Sequence, residues 1–465
     1  MLLVAPQMVQ IRNKDMLIKK GETKLERKAR ALVLKSLDCA LKAADPKRLL
    51  KKKLSLKNMC LHAGSFSFDL KKFKNVYVVG GGKAGGAMAE ALEEILGKYI
   101  TMGSVNVPHG AEHNTRVIEV REANHPVPDK AGMEGAMRMM QIAEQAEKND
   151  LVICLISGGG SSLMPLPLEG LSLEDKKEVT NALLKSGADI NEVNTVRKHL
   201  SAFKGGWLAK QIYPATVLNL ILSDVMGDPL DSIASGPTVP DSSTFVDAKR
   251  ALEKYGLWKT APSSVHKILL AGVEGYILET PKSGDPAFER VRSVIVGNNR
   301  VASEAAIEFL ERKGLSTLLL PDILEGEARQ AGAALGRFAY GIVASGKPLP
   351  KPAGVVAGGE TTVAVTGKGL GGRNQELALS TALQLTGTAN CALASLSTDG
   401  VDGPTDAAGA IVDGNTVEQA ARLRLKPEEF LVDNDSYSFF SQLGDLIFTG
   451  PTGTNVNDIS VIVVL

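Results

Sequence analysis

The sequence predicts a doubly wound α/β fold in two domains, and three observations point to it. Short apolar runs alternate with helical spacing from Val76 onward, the pattern restarts after a Gly/Pro-rich stretch near Arg290, and glycine is abundant (47 residues) while aromatics are only 5%. Apolar runs without polar alternation suit parallel strands covered on both faces. Many glycines suit tight turns and close backbone approaches.

Lys24 to Ala44 places Leu25, Ala29, Leu32, Val33, Leu37, Ala40 and Leu41 at helical spacing and stops at Pro46, which predicts one long amphipathic helix. Its lysine-rich continuation through Lys53 reads as a solvated face, since no aromatic pattern accompanies the charge. Strands are then expected at Val76–Val79, Ser104–Val107, Val117–Val120, Leu151–Ile156 and Val217–Leu222, with helices at Ala84–Leu96 and Ala131–Ala146. The segment Ala261–Arg290 is rich in Gly, Pro and charge, and a domain boundary is placed near its end, giving domains at 1–288 and 289–465. The second begins with a strand at Val291–Val296, then a helix at Val301–Lys313, a strand at Ser316–Leu320 and a helix at Glu327–Ala344. Gly354–Ala357 and Thr361–Thr366 flank Gly358 and Gly359 like a hairpin. A helix at Asn374–Leu383, a strand at Cys391–Leu396 and final strands at Leu446–Phe448 and Ile459–Val464 complete the pattern.

Composition narrows the function. The chain has 465 residues, enough for two or three domains, and 53 basic against 52 acidic side chains. That balance argues against nucleic acid or an anionic membrane as partner. The four cysteines lack any C-x-x-C spacing and read as reduced thiols, the opening segment lacks a secretory h-region, and no run approaches a membrane span. A cytoplasmic enzyme acting on a small molecule is the expectation.

Chemistry concentrates in a few glycine-rich segments. V-Y-V-V-G-G-G-K-A-G-G, Val76 to Gly86, sets Gly80, Gly82 and Gly85 in G-x-G-x-x-G order between a strand and a helix, where backbone N–H groups bind anions; Gly81, Gly82 and Lys83 are the candidate ligands. A dinucleotide site also wants an acidic residue at the end of the next strand, and Val107-Pro108-His109 does not supply it. L-V-I-C-L-I-S-G-G-G-S-S-L opens a buried strand into Ser157, Gly158, Gly159, Gly160, Ser161 and Ser162, a phosphate cradle. No P-loop motif is present. L-I-L-S-D-V-M-G-D-P-L-D releases Asp224 and Asp228 beyond a strand, suited to Mg²⁺ held with phosphates or, for Asp224, to a base that accepts a hydroxyl proton. Arg197 in N-T-V-R-K-H is a candidate for carboxylate binding or for a structural ion pair. In the second half, Arg373 stands at a helix N-terminus, where a cation opposes the macrodipole and so is expected to serve an anion. Asn374, Asp399, Thr454 and Asn455 form a second polar wall.

Taken in order, these segments together with S-G-P-T, G-G-E-T-T-V and T-D-G-V-D-G-P-T-D resemble the glycerate kinases that form 2-phosphoglycerate, over nearly the whole chain from Lys24. The resemblance implies a larger Rossmann-like α/β/α N-terminal domain and a smaller C-terminal α/β domain of MOFRL type, with the active site in the cleft between them. It implies ATP, a divalent cation such as Mg²⁺, and glycerate as partners, and leaves a homodimer open. Lys83 and Arg373 would be the glycine-loop lysine and cleft arginine, catalytic together with Asp224. Two further readings stand beside it: an NAD(P)-dependent hydroxypyruvate reductase, and a silent nucleotide-binding sensor that binds ATP without turnover.

Overall fold

The computed structural model describes residues 9–111 and 113–465, which form two compact units. The first comprises residues 46–296, and the second joins residues 9–45 to 297–465.

In the 46–296 unit a small antiparallel sheet of β1 (Leu54–Lys57), β2 (Cys60–Ala63) and β3 (Phe66–Asp69) precedes the main sheet. The main sheet contains β4 (Val76–Gly81), β5 (Met102–Pro108), β6 (Ile118–Ala123), β7 (Leu151–Ser157), β8 (Thr216–Leu222) and β9 (Val291–Gly297) in the order β6-β5-β4-β7-β8-β9. Strands β4 to β8 pair in parallel. Strand order reverses between β4 and β7, the switch point at whose carboxyl ends such sheets bind ligands. Every residue of β4 and β7 is buried, which explains their unbroken apolar character.

Local signals fix the flanking helices. Asp129 caps Lys130–Glu144 by accepting the Gly132 N–H, and Ser172 caps Leu173–Lys185 through the Asp175 N–H. Between β7 and β8 the chain inserts Leu173–Lys185, Ile190–His199 and Trp207–Ile212. The first two pack with Phe245–Lys254 and Ser263–Val273 around Val179, Leu183, Val196, Phe245 and Leu269. The lysines after Pro46 lie on the helix Pro46–Lys53, where Lys47 and Lys51 pair with Glu90 and Glu94 at the surface.

The other unit carries a mixed sheet of β10 (Ser316–Leu324), β11 (Ala353–Gly359), β12 (Cys391–Ser397), β13 (Gly409–Asp413), β14 (Leu446–Ile447) and β15 (Asp458–Val464), ordered β10-β11-β15-β12-β13-β14. Its N-terminal helix, Lys24–Ala43, starts at a capping box in which Thr23 and Glu26 satisfy each other's backbone N–H. Arg30 on that helix is 1% exposed and bonds Asp413 at 2.6 Å, Asp445, and the Leu17 carbonyl at 2.7 Å.

Three expectations need correction: the place of the N-terminal helix, the place of Val291–Val296, and the hairpin at Gly358. The N-terminal helix belongs with residues 297–465, because its apolar face packs on the helix Asn299–Arg312 and on β12 and β15. Val291–Val296 ends the first unit, since β9 lies beside β8, with Asn219 donating to Ser293 Oγ at 2.9 Å. The hairpin around Gly358 does not form: β11 pairs in parallel with β10 and antiparallel with β15, so both its edges are taken by distant strands.

Arg30 sits between two buried aspartates, and truncation removes the ion-pair partner of Asp413 and leaves Asp445 with Lys20 alone. Arg30→Ala should lower the unfolding free energy by about 3–5 kcal/mol in urea titrations. A loss under 1 kcal/mol would show that the cluster does not hold the N-terminal helix in place.

Candidate active site

The β4 and β7 loops meet at the switch point, and the glycines there are consumed by that meeting. A Cβ on Gly80 would lie 2.0 Å from the Leu155 carbonyl oxygen, and one on Gly82 would lie 2.1 Å from Ser157 Oγ. Only glycine permits the approach. Ser157, 1% exposed, accepts the Ala84 N–H at 3.1 Å just before the helix Gly85–Leu96, and the Lys83 N–H donates to the Gly158 carbonyl at 2.8 Å. Gly81, Gly82 and Ser157 are thus buried parts of a loop clasp. From the sequence they are expected to line a ligand cradle, and in the fold they form the clasp from which the Gly158–Ser162 loop continues. The clasp fixes Lys83, which is half-buried beside Gly159.

Gly158 to Ser162 behave differently. Gly159 takes φ +80°, and a Cβ there would meet the His125 ring at 2.9 Å and the Lys83 side chain at 3.3 Å. Ser161 Oγ lies 2.8 Å from Ser235 Oγ, Ser235 donates to Asn194 Oδ1 at 3.3 Å, and Arg197 reaches the same oxygen at 3.4 Å. Ser162 donates to the Gly159 carbonyl at 3.0 Å. Gly160 packs against Ala234, and Ala234 and Ser235 both have positive φ (51° and 60°), a strained conformation of the kind that clusters at functional sites.

Beside this loop is a cavity of about 320 Å³ lined by Gly159, Ser161, Ser162, His125, Arg197 and Lys204, among others. Lys176 also lines it, as do Val127, Pro128, Leu173 and Leu184. Lys176 donates to the Leu200 carbonyl at 3.0 Å and Lys204 to the Met164 carbonyl at 2.9 Å. Among the described residues no carboxylate pairs with Lys176, Lys204 or Arg197. Burial, then the neighbouring Arg197 charge, pushes the Lys204 ammonium down to about 7. Burial, then Lys204 and Arg197, holds Lys176 well below its usual value, and burial lowers Arg197. The ion-pair alternative for Arg197 therefore fails, while its immediate neighbour Lys198 pairs with Asp241 at 3.3 Å. Asp224 and Asp228 lie half-buried on the loop after β8, Asp228 at φ +55°, and Asp231 approaches Lys198 at 3.8 Å. Among the described residues no group of three or more His, Cys, Asp or Glu side chains is arranged to hold a metal ion.

In the other unit, Arg373 is the first residue of the helix Arg373–Leu385 and finds its anions inside the protein. It bonds Asp458 twice, at 2.6 and 3.0 Å, and Glu360 at 2.5 Å. Burial opposes its charge, yet Asp458 and then Glu360 outweigh burial and hold the guanidinium above its usual value. Asn374 is equally committed: its backbone N–H and side-chain amide nitrogen donate to Asp402, and its side-chain Oδ1 accepts from Ser395 Oγ at 2.6 Å. Burial, then Asp458, pushes Asp402 up to about 6, although the Asn374 and Gln375 N–H bonds pull the other way. Asp399 accepts Ser397 Oγ and the Val401 N–H, forming a local turn. Thr454 is 1% exposed and donates to the Ala44 carbonyl, and Asn455 accepts the Asn457 N–H. The polar wall expected from Asn374 and Thr454 is therefore largely a structural network.

The comparisons with known proteins agree with this geometry. Residues 32–270 match the model described as a domain of unknown function, DUF4147, and residues 353–458 match the MOFRL family. D-glycerate 2-kinase of Thermotoga maritima is 46% identical, covering 83% of this chain and 89% of that protein. Glycerate 2-kinase of Pyrococcus horikoshii is 43% identical over 94% and 97%. The crystal structure of Thermotoga maritima glycerate kinase superposes with a TM-score of 0.81 at 42% identity, over 93% of this chain and 98% of that one. The chain belongs to the glycerate kinase family. A relative from Agrobacterium vitis, 40% identical over 94% of both chains, carries a provisional hydroxypyruvate reductase name. Glycerate kinase resemblance in the sequence had not drawn attention to Lys176, Lys204, His125, Asn194 or Ser235. Asn194 and Ser235 stand inside N-T-V-R-K-H and S-G-P-T, so their motifs were visible, whereas Lys176 sits in an ordinary charged helix.

The lowered Lys204 has a measurable consequence in buffers free of phosphate and sulfate. Its folded value of about 7 lies below the ~10.4 of an unfolded lysine. Between the two the unfolded chain holds more protons, so this group makes stability rise with pH. Lys204→Met should be more stable than wild type below pH 7, and the difference in melting temperature should shrink toward pH 10. A difference that is flat across this range would contradict the buried-cation reading.

Proposed function

We propose that this glycerate kinase transfers a phosphoryl group from ATP to D-glycerate, giving 2-phosphoglycerate. The observation that carries the reading is the switch-point site, where Lys83 and the Gly158–Ser162 loop adjoin a cation-lined cavity, in a chain 43–46% identical to glycerate 2-kinases. Phosphoryl transfer is positioning plus electrostatic stabilisation, and these groups suit it. Lys83, held through its own backbone N–H, would stabilise charge on the transferring phosphoryl group. Ser161 and Ser162 would donate to phosphate oxygens. Asp224 would accept the proton of the attacking glycerate hydroxyl. Arg373, already balanced by Asp458 and Glu360, would bind an incoming carboxylate only by exchanging one of these partners.

Asp224 and Asp228 fit a divalent cation. They offer only carboxylate oxygens, and Mg²⁺ is habitually held by one or two carboxylates together with substrate phosphates and water. Mg²⁺ bound there would neutralise phosphate charge during transfer. The cytoplasm is the proposed compartment, supported by four free cysteines; among the described residues no helix is long and apolar enough to cross a membrane.

The reductase reading is weakened by one feature. Strand β5 ends in Val107-Pro108, without the acidic side chain that a dinucleotide ribose requires at that place.

A reaction with D-glycerate, ATP and Mg²⁺ should yield 2-phosphoglycerate, identified by NMR of the product, while NADH with hydroxypyruvate should not be consumed. Rapid NADH oxidation by the pure protein would overturn the assignment. Asp224→Asn keeps the side-chain shape and should cost at least about a hundredfold in kcat with an unchanged melting temperature. Near-normal turnover would remove Asp224 from the base and metal roles. Lys83→Ala should reduce kcat comparably, and a pure KM effect would make Lys83 a binding residue only.

A further inference from the structure

The insertion between β7 and β8 brings Lys176, Arg197 and Lys204 to one cavity without any carboxylate to balance them. Lys204 is 1% exposed and Lys176 6%. Burying like charges together is costly, and folded proteins normally pair such groups. An ammonium has three donors, and each lysine gives one to a backbone carbonyl, leaving two on each for a ligand. The neighbouring buried cations Lys198 and His199 are paired, with Asp241 and Glu279 respectively.

Shape narrows the ligand. The cavity, about 320 Å³, reaches the lower end of the range for nucleotide-sized ligands and exceeds what a three-carbon acid needs. Its cations, Ser161 and Gly159 accompany apolar walls at Val127, Pro128, Leu173 and Leu184, with Thr180 and Asn181 as polar groups among them. A ligand with an anionic tail and a flat, mainly apolar head satisfies both parts.

We propose that this cavity is the nucleotide pocket, with Lys176, Arg197 and Lys204 receiving the polyphosphate and the apolar walls taking the base. The assignment rests on the kinase reading for the identity of the nucleotide, but the binding argument stands on the cavity itself. The anion supplies the missing countercharge, so binding shifts Lys204 toward its charged form and takes up a proton near neutral pH. The titratable and charged groups facing Lys204 are Lys176 and Lys177 from Leu173–Lys185, Arg197 from Ile190–His199, and His125. Lys177 pairs with Glu174 at 2.9 Å.

The test is calorimetric, on the full chain, with ADP alone and with D-glycerate alone. Lys204→Met and Arg197→Gln should each raise the Kd for ADP by about ten- to a hundredfold, the loss expected for one charge-assisted hydrogen bond. Tripolyphosphate should weaken in parallel, adenosine should not, and glycerate affinity should hold. Titrations at pH 7.5 in buffers of different ionisation enthalpy should give proton uptake on ADP binding by wild type, reduced in Lys204→Met; a purely structural lysine would leave this uptake unchanged. Thermal melts establish that the variants fold, and Arg197→Gln carries the test if Lys204→Met does not. An ADP Kd within twofold of wild type in folded variants overturns the proposal, as does a loss of glycerate affinity in place of ADP affinity. If 2-phosphoglycerate still forms in those cases, the pocket assignment fails alone. ADP binding that depends on the cations in a protein that makes no 2-phosphoglycerate would sink the kinase reading and leave the pocket standing.

Discussion

The close approach of the β4 and β7 loops is the constraint on which the site depends. With no Cβ at Gly80 and Gly82, the β4 turn lies directly on the backbone of Leu155 and Ser157. That contact lets Ser157 accept the Ala84 N–H and the Gly158 carbonyl accept the Lys83 N–H. The backbone of Lys83 is thereby fixed at this point. The same contact consumes glycines and a helix-terminal N–H that would otherwise be available to an anion. Attraction for phosphate must then come from side chains, and the insertion after β7 provides them.

The two units handle buried charge in opposite ways. In residues 297–465 with the N-terminal segment, Arg30 is enclosed by Asp413 and Asp445, and Arg373 by Asp458 and Glu360. Acidic groups are in excess around the start of the helix Arg373–Leu385, where Asp402 and Asp458 both have raised values. In residues 46–296 the surplus is positive and concentrated in one cavity. A balanced buried pair mainly organises a fold, whereas an unbalanced cluster stores binding energy for a countercharge.

The strand order β6-β5-β4-β7-β8-β9 is that of dinucleotide-binding sheets, yet the strand order does not choose the chemistry. What distinguishes this sheet is local: Pro108 where a ribose acceptor would stand, a lysine in the glycine turn, serines after β7, and aspartates after β8. Each lies at a carboxyl end of a strand. The fold supplies the location, and the loop residues turn it toward phosphate.

The sequence by itself determined the parallel strands, because their two-sided burial demands unbroken apolar runs, and the positions of the Gly-rich turns, because only glycine tolerates the contacts there. It also determined the family, through ordered motifs that span both units. Tertiary structure alone decided what the polar groups touch. Arg373 and Thr454 read as ligands, and the partners they hold in the fold, Asp458, Glu360 and the Ala44 carbonyl, are distant in sequence. The strand β11 read as half of a hairpin, since a Gly-Gly pair signals a local turn while its true neighbours, β10 and β15, are set by long-range pairing. The burial of Lys176 and Lys204 without a countercharge is a property of packing, and no spacing along the chain encodes it.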